Sequence, residues 1–154
     1  MRHMLLIFMM LGGFFAQAQN GTKYLSVKGG VGAREIFAGS VSFDYNTKYY
    51  NQHEIFGEFM ESNNTGYQTL MGGFVVKPVQ VRGTNSTIRW RLGAGLGTDF
   101  KKFVAAPQLG WEFSQTFNNR LELIFENKNQ AVLWAPKSER WRFMIDLGIR
   151  IPLN

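Results

Sequence analysis

The amino-acid sequence predicts an all-β protein, an eight-stranded antiparallel up-and-down transmembrane β-barrel. Three observations lead to this prediction. The chain opens with the pattern of an export signal, it contains no cysteine, and short segments along the remainder alternate large apolar residues with polar residues or glycine. Successive side chains of a strand point to opposite faces. An exported chain of such strands can close into a barrel with lipid outside and polar side chains inside.

The last segment shows the alternation most clearly. Its large apolar residues all share one parity: Trp141, Phe143, Ile145, Leu147, Ile149, Ile151 and Leu153. The other parity carries Arg142, Asp146, Gly148 and Arg150. One face of this strand therefore suits acyl chains, and the other suits an enclosed polar interior.

A signal peptide is predicted at residues 1–18. Arg2 and His3 precede an apolar run, and Ala16-Gln17-Ala18 forms a small-x-small cleavage site. The apolar run is shorter than the roughly 20 residues that a membrane-spanning helix needs, so we expect cleavage and not an uncleaved anchor. Residues 19–154 then form a single outer-membrane barrel domain.

Composition excludes several other classes of protein. The chain has 17 basic and 11 acidic residues and a net charge of +6, but the bases are scattered singly, without the cluster of a nucleic-acid interface. We therefore expect no direct nucleic-acid binding. Beyond the signal, every apolar run is soon interrupted by a charge, an asparagine or a glycine, which argues against membrane helices. Without cysteine there is no disulfide, no thiolate metal site and no cysteine-linked lipid anchor.

Eight strands can be placed in order, each long enough for the roughly 9 to 11 residues of a tilted membrane strand. They are predicted near residues 23–32, 35–45, 50–61, 67–79, 87–97, 103–115, 120–133 and 141–153. The turn-rich segments 62–66 and Asn118-Asn119 separate neighbouring strands. An even number brings both termini to one side, which we expect to be the periplasmic side of a bacterial outer membrane. Pro107 cannot donate to a strand ladder, so we expect a bulge there.

The fifth strand has a distinctive inward face. Ile88, Trp90 and Leu92 begin one parity, while the other parity carries Arg89, Arg91, Gly93, Gly95 and Gly97. Two arginines followed by three glycines suit a narrow interior in which space is scarce.

Charged residues of both signs fall on the predicted inward face. They are Arg89, Arg91, Glu112, Glu122, Glu126, Lys128, Arg142, Asp146 and Arg150. An eight-stranded barrel is just wide enough for side chains to fill it. These residues are therefore predicted to form a structural ion-pair network and not a pore.

No catalytic residue, metal site or cofactor is predicted. Glu122 and Glu126 lie too far apart along a strand to share a proton, and arginines are available to pair with them. His53 is the one histidine beyond the signal, and Glu54 and Glu58 are acceptable partners for it, but no serine matches them. One histidine without cysteine does not predict a transition-metal site.

The C-terminal half resembles a known family. Three segments carry the similarity: Arg120-Leu-Glu-Leu-Ile-Phe-Glu-Asn-Lys, Val132-Leu133-Trp134, and Phe143-Met-Ile-Asp-Leu-Gly-Ile-Arg-Ile. They resemble the end of the TraO family of conjugative-transposon proteins, in which a signal peptide precedes a glycine-rich first strand and a predicted outer-membrane barrel. The resemblance implies a non-enzymatic component of a DNA-transfer apparatus, with outer-membrane lipid and other envelope proteins as partners. It supplies no catalytic or binding residues.

Two alternatives remain open at the level of sequence. One is a small barrel enzyme that acts on lipid or lipopolysaccharide with His53 as its base. The other is a soluble lipocalin-like barrel whose apolar face, including Trp90, Trp111 and Phe113, points inward to a small ligand. Such bulky residues would crowd an eight-stranded interior, so the membrane orientation is favoured.

Overall fold

The computed structural model describes residues 22–117 and 121–153. The predicted signal peptide at residues 1–18 and the Asn118-Asn119 turn lie outside the described residues.

Strands account for most of the described chain. They are β1 Lys23–Gly32, β2 Ile36–Asn46, β3 Gln52–Ser62, β4 Tyr67–Lys77, β5 Val79–Arg82, β6 Ser86–Thr98, β7 Phe103–Phe117, β8 Leu121–Ala131 and β9 Trp141–Leu153. Two single-turn 3-10 helices, Lys48–Tyr50 and Lys137–Glu139, lie in connections. In the described part of the chain, no helix has the length and apolar character needed to cross a membrane.

The strands form a closed eight-stranded antiparallel barrel, as the sequence predicts. β1 pairs with β2 on one side and with β9 on the other, which closes the sheet. β4 and β5 both pair with β6, so together they fill one strand position. The interruption falls at Pro78, which has no N–H to donate, and the register shifts between Val79 and Val81.

The strands are strongly staggered around the barrel. Ala33, which follows β1, donates a hydrogen bond to Phe143 on β9. From Phe143, each residue's partner on the next strand can be traced through β8, β7, β6, β4, β3 and β2. The trace returns to β1 at Lys23, ten residues before Ala33. A stagger of this kind tilts the strands relative to the barrel axis.

The prediction of a bulge at Pro107 is wrong. β7 keeps one continuous register with β6, including the pair Ala94 and Pro107. Pro107 instead interrupts the pairing of β7 with β8. Regular pairing with β8 begins only at Gln108, and a single bridge joins Ala105 to Leu133. The Leu133 N–H donates to the Ala105 carbonyl, so alternate residues of β7, Pro107 among them, direct their backbone groups towards β8.

Large apolar residues dominate the outward parity of the strands, and the buried charged residues share the inward parity. On β9, Leu147 is 58% exposed while its neighbour Asp146 is 1% exposed. Trp90 and Trp111 also lie on the outer surface, at 44% and 37% exposure. The lipocalin-like alternative required the reverse orientation and is therefore wrong.

The two ends of the barrel interior differ. We call the end with both termini the terminal end, and the other, with turns 33–35, 63–66 and 99–102, the distal end. Towards the distal end the interior is apolar, built from Ile36, Met60, Met71, Val104, Ala106, Val132, Ala135 and Met144. Val132 and Ala135 come from the connection between β8 and β9, so this connection packs into the distal end and closes it.

Candidate functional site

The barrel interior holds a dense set of charged side chains. Seven buried bases come from the strands: Lys28, Lys77, Arg89, Arg91, Lys128, Arg142 and Arg150. Seven buried acids come from the strands as well: Asp44, Glu54, Glu58, Glu112, Glu122, Glu126 and Asp146. Equal numbers of opposite charges make the strand-derived interior electrically neutral, which a low-dielectric enclosure requires.

Glu112 on β7 lies at the centre of this network. Its carboxylate oxygens lie 2.7 Å from Lys77 Nζ and 2.8 Å from Arg150 Nη2. Arg89 and Arg91 approach the same carboxylate at 3.3 and 3.5 Å. The Glu112 side chain is fully buried, so these bases supply the stabilisation that water would otherwise give.

Glu54 and Glu126 extend the network towards β1. The Lys28 ammonium lies 3.0 Å from Glu54 and 3.1 Å from Glu126. Arg91 joins the same two carboxylates at 2.8 and 2.7 Å, and Lys77 also contacts Glu54. Shared bases therefore link carboxylates from β3, β7 and β8 into one cluster.

Two further groups complete the network. Towards the distal end, Lys128 Nζ contacts Glu58 and lies 2.7 Å from Asp146 Oδ2. Towards the terminal end, the Arg150 guanidinium lies 2.9 Å from Glu122 and 3.4 Å from Asp44. Charge pairing thus extends along much of the interior.

All nine residues assigned to the interior from the sequence are buried there. Eight of them form ion pairs, either with one another or with charged residues on other strands. Arg142 differs. Its Nη1 donates to Thr69 Oγ1 at 3.0 Å and lies 2.9 Å from Met60 Sδ, with the guanidinium over the Tyr67 ring. Arg142 therefore belongs to the boundary between the charged and apolar parts of the interior.

Sequence reasoning missed five members of the network, Lys28, Asp44, Glu54, Glu58 and Lys77. Each has the inward parity of its strand, so strict alternation could have found them. The signal is weak on β3 and β4 because Phe56, Met60, Met71 and Val75 share that inward face and blur the contrast between the two parities.

The carboxylates of Glu54, Glu112 and Glu126 approach one another closely enough to resemble a metal site, with oxygen atoms within 4.8 Å. Lys28, Lys77 and the interior arginines already contact these oxygens. Their ammonium and guanidinium groups supply the positive charge and fill the directions that a metal ion would need. This cluster is best described as part of the ion-pair network.

His53 lies on the outer surface of β3. Its Nδ1 lies 3.0 Å from the Tyr45 hydroxyl, and its ring packs edge-on against Phe74. Glu54 and Glu58 point to the opposite face, into the interior, where bases bind them. The barrel wall therefore separates His53 from Glu54 and Glu58, the partners that the enzyme alternative would have used.

The turn between β6 and β7 is fixed by Asp99. Its Oδ1 accepts hydrogen bonds from the backbone N–H groups of Lys102 at 2.7 Å and Lys101 at 3.0 Å, and the Tyr67 hydroxyl donates to Oδ2. Burial disfavours the charged carboxylate, but these donors outweigh it and hold the pKa of Asp99 below its usual value of 3.8.

A pH-dependent stability difference follows from this lowered pKa. Because the folded protein holds the charged form, Asp99 stabilises it fully above pH 3.8, and this contribution is lost as the pH falls through the lowered pKa. Asp99→Asn is expected to lower the free energy of unfolding by about 1 kcal/mol at pH 7. In urea titrations of the barrel in vesicles, the difference from wild type should shrink below pH 3.8. A difference that stayed constant down to pH 2 would contradict the assignment.

Comparison with known proteins gives the class of the fold. No family model matches the chain, and no curated protein matches it. The N-terminal β-barrel domain of Pseudomonas aeruginosa OprF is 12% identical, with a TM-score of 0.57 over 87% of this chain and 100% of that one. Yersinia pestis outer membrane protein Ail is 10% identical, with a TM-score of 0.56 over 86% of this chain and 100% of that one.

A designed barrel is similar to the same extent. The de novo protein TMB2.3 is 16% identical, with a TM-score of 0.58 over 88% of this chain and 98% of its own. The chain therefore has the fold of the small outer-membrane β-barrels.

Proposed function

We propose that this protein is a non-enzymatic, non-conducting barrel of the bacterial outer membrane, with both termini in the periplasm. It serves as a structural component of a conjugative DNA-transfer apparatus, in contact with other envelope proteins. The observation that carries the non-conducting part is the filled interior. Buried charges pair with one another along the barrel, and apolar side chains close its distal end.

Support for the membrane location comes from the outer surface. Large apolar side chains such as Leu92 on β6 and Phe143 and Ile145 on β9 are 47–57% exposed. An apolar band of this kind is costly in water and is the normal outer surface of a membrane barrel. The absence of a catalytic role is supported by His53, which faces outward with a tyrosine and a phenylalanine as neighbours.

Support for the conjugation role comes from the resemblance to the TraO family. The segments that carry it coincide with β8, with the connection that closes the distal end, and with β9. Deletion of the gene is expected to reduce the frequency of DNA transfer between cells, and transfer genes are expected beside it. Unchanged transfer frequency in the deletion strain would overturn this role.

The filled interior predicts an absence of ion conductance. Purified barrel reconstituted into planar bilayers should show no stepwise current, because an eight-stranded interior is just wide enough for side chains to fill and paired charges occupy this one. Heat-modifiable migration on gels is the control for folding, and an open porin is the control for the bilayer. Reproducible conductance steps from heat-modifiable protein would contradict the proposal.

A further inference from the structure

Two neighbouring connections at the distal end, β6–β7 and β8–β9, bury their acidic side chains and expose their basic ones. The acids are turned inward: Asp99 is held by its own turn and Tyr67, and Glu139 is 2% exposed and accepts a hydrogen bond from Thr65 Oγ1 at 2.9 Å. The bases of the same connections, Lys101, Lys102, Lys137 and Arg140, are exposed. We call these four residues the distal basic patch.

Residues of the distal basic patch make no ion pair within residues 22–117 and 121–153. The contrast with the interior is sharp, since the interior bases of the network are almost all matched with carboxylates. A surface that keeps its positive charges exposed while its acids are engaged elsewhere is complementary to an anionic partner.

Aromatic residues adjoin these bases along the chain. Phe103, the first residue of β7, packs against Trp134 of the β8–β9 connection, with their ring centroids 5.9 Å apart. Lys102 immediately precedes Phe103, and Arg140 immediately precedes Trp141, which is 62% exposed on the outer surface. Aromatic rings at the end of a lipid-facing strand mark the boundary between headgroups and acyl chains, so the bases next to them stand at headgroup level.

We propose that the distal basic patch binds a phosphorylated glycolipid of the outer leaflet, with the bases on its phosphates and the aromatic rings against its acyl chains. This inference rests on the proposed function, because the distal end faces the outer leaflet only when both termini are periplasmic. Four bases spread over two connections suit a lipid that carries two phosphates on one headgroup. A phospholipid with a single phosphate uses only part of that charge.

The test uses wild-type barrel folded in zwitterionic detergent and titrated with lipid A that carries two phosphates, followed by tryptophan fluorescence. The test variant is Lys102→Gln with Arg140→Gln. Each base near an anionic lipid surface contributes roughly a fivefold gain in affinity, so the variant should bind about 25-fold more weakly. The matched control is Lys23→Gln with Arg82→Gln, which removes one lysine and one arginine at the terminal end and should leave the affinity unchanged.

Three results would overturn the proposal: equal binding by the test variant and wild type, equal binding of dephosphorylated lipid A, or equal binding of phosphatidylglycerol. The last would identify a general anionic-lipid surface. Failure here is distinct from failure of the proposed function. If a folded barrel does not bind lipid A, only the glycolipid site is overturned. If DNA transfer is unchanged after gene deletion, only the conjugation role is overturned.

Discussion

Glu112→Gln is expected to destabilise the folded barrel by about 3–5 kcal/mol, the largest effect of any single charge removal in the interior. The substitution keeps the shape of the side chain but removes the negative charge shared by Lys77 and Arg150. Those bases would then stay buried with fewer carboxylates than cations around them. The measurement is urea-induced unfolding of the barrel in lipid vesicles, followed by tryptophan fluorescence.

Glu61→Gln is the matched control for this experiment. Glu61 lies at the outer, distal end of β3, where its side chain is partly exposed and accepts a hydrogen bond from Gln68. Its replacement should change the free energy of unfolding by less than about 0.5 kcal/mol. Equal effects of the two substitutions would show that the interior network does not depend on the charge of Glu112.

Gly93→Val should be similarly damaging, with a loss of roughly 3 kcal/mol or more, or no folded barrel at all. A Cβ at Gly93 would overlap the Phe74 carbonyl oxygen and lie 2.8 Å from Val75 Cα on the neighbouring strand. Both obstacles belong to the backbone of β4, which cannot move aside without breaking its pairing with β6. Heat-modifiable migration and urea unfolding measure the loss.

Gly39→Val provides the opposite case on the outer face of the same barrel. A Cβ at Gly39 meets no atom within 4 Å, and valine favours strands more than glycine does. The variant should therefore be as stable as wild type or slightly more stable. If both glycine variants lost stability equally, the difference in available space would not explain the effect at Gly93.

The sequence predicted the fold best where the alternation of apolar and polar residues within a single strand was clear. On β9 every outward residue is large and apolar, so Leu147 and Asp146 could be assigned to opposite faces from the sequence. The arginine and glycine face of β6 was predicted for the same reason. In β3 and β4 the interior includes Phe56 and Met71, and the inward parity there was correspondingly hard to recognise.

Errors arose where a residue's role depended on a neighbouring strand. Pro107 was expected to distort its own strand, but it instead interrupts pairing with β8, since the backbone groups of that residue face β8. Pro78 divides one strand position into an 11-residue and a 4-residue strand at a point that alternation does not mark. His53 and Glu54 are adjacent in sequence, yet the sheet places them on opposite sides of the barrel wall.

By itself, the sequence determined the two-faced strands, their approximate limits and an interior rich in both signs of charge, because side-chain alternation is a property of each strand alone. Tertiary structure decided which charges meet. Glu112 reaches Lys77 and Arg150 only because barrel closure and stagger bring distant strands to the same level. The same closure placed the β8–β9 connection in the distal end, since nothing local in that segment specifies the cluster of Met60 and Met144 against which it packs.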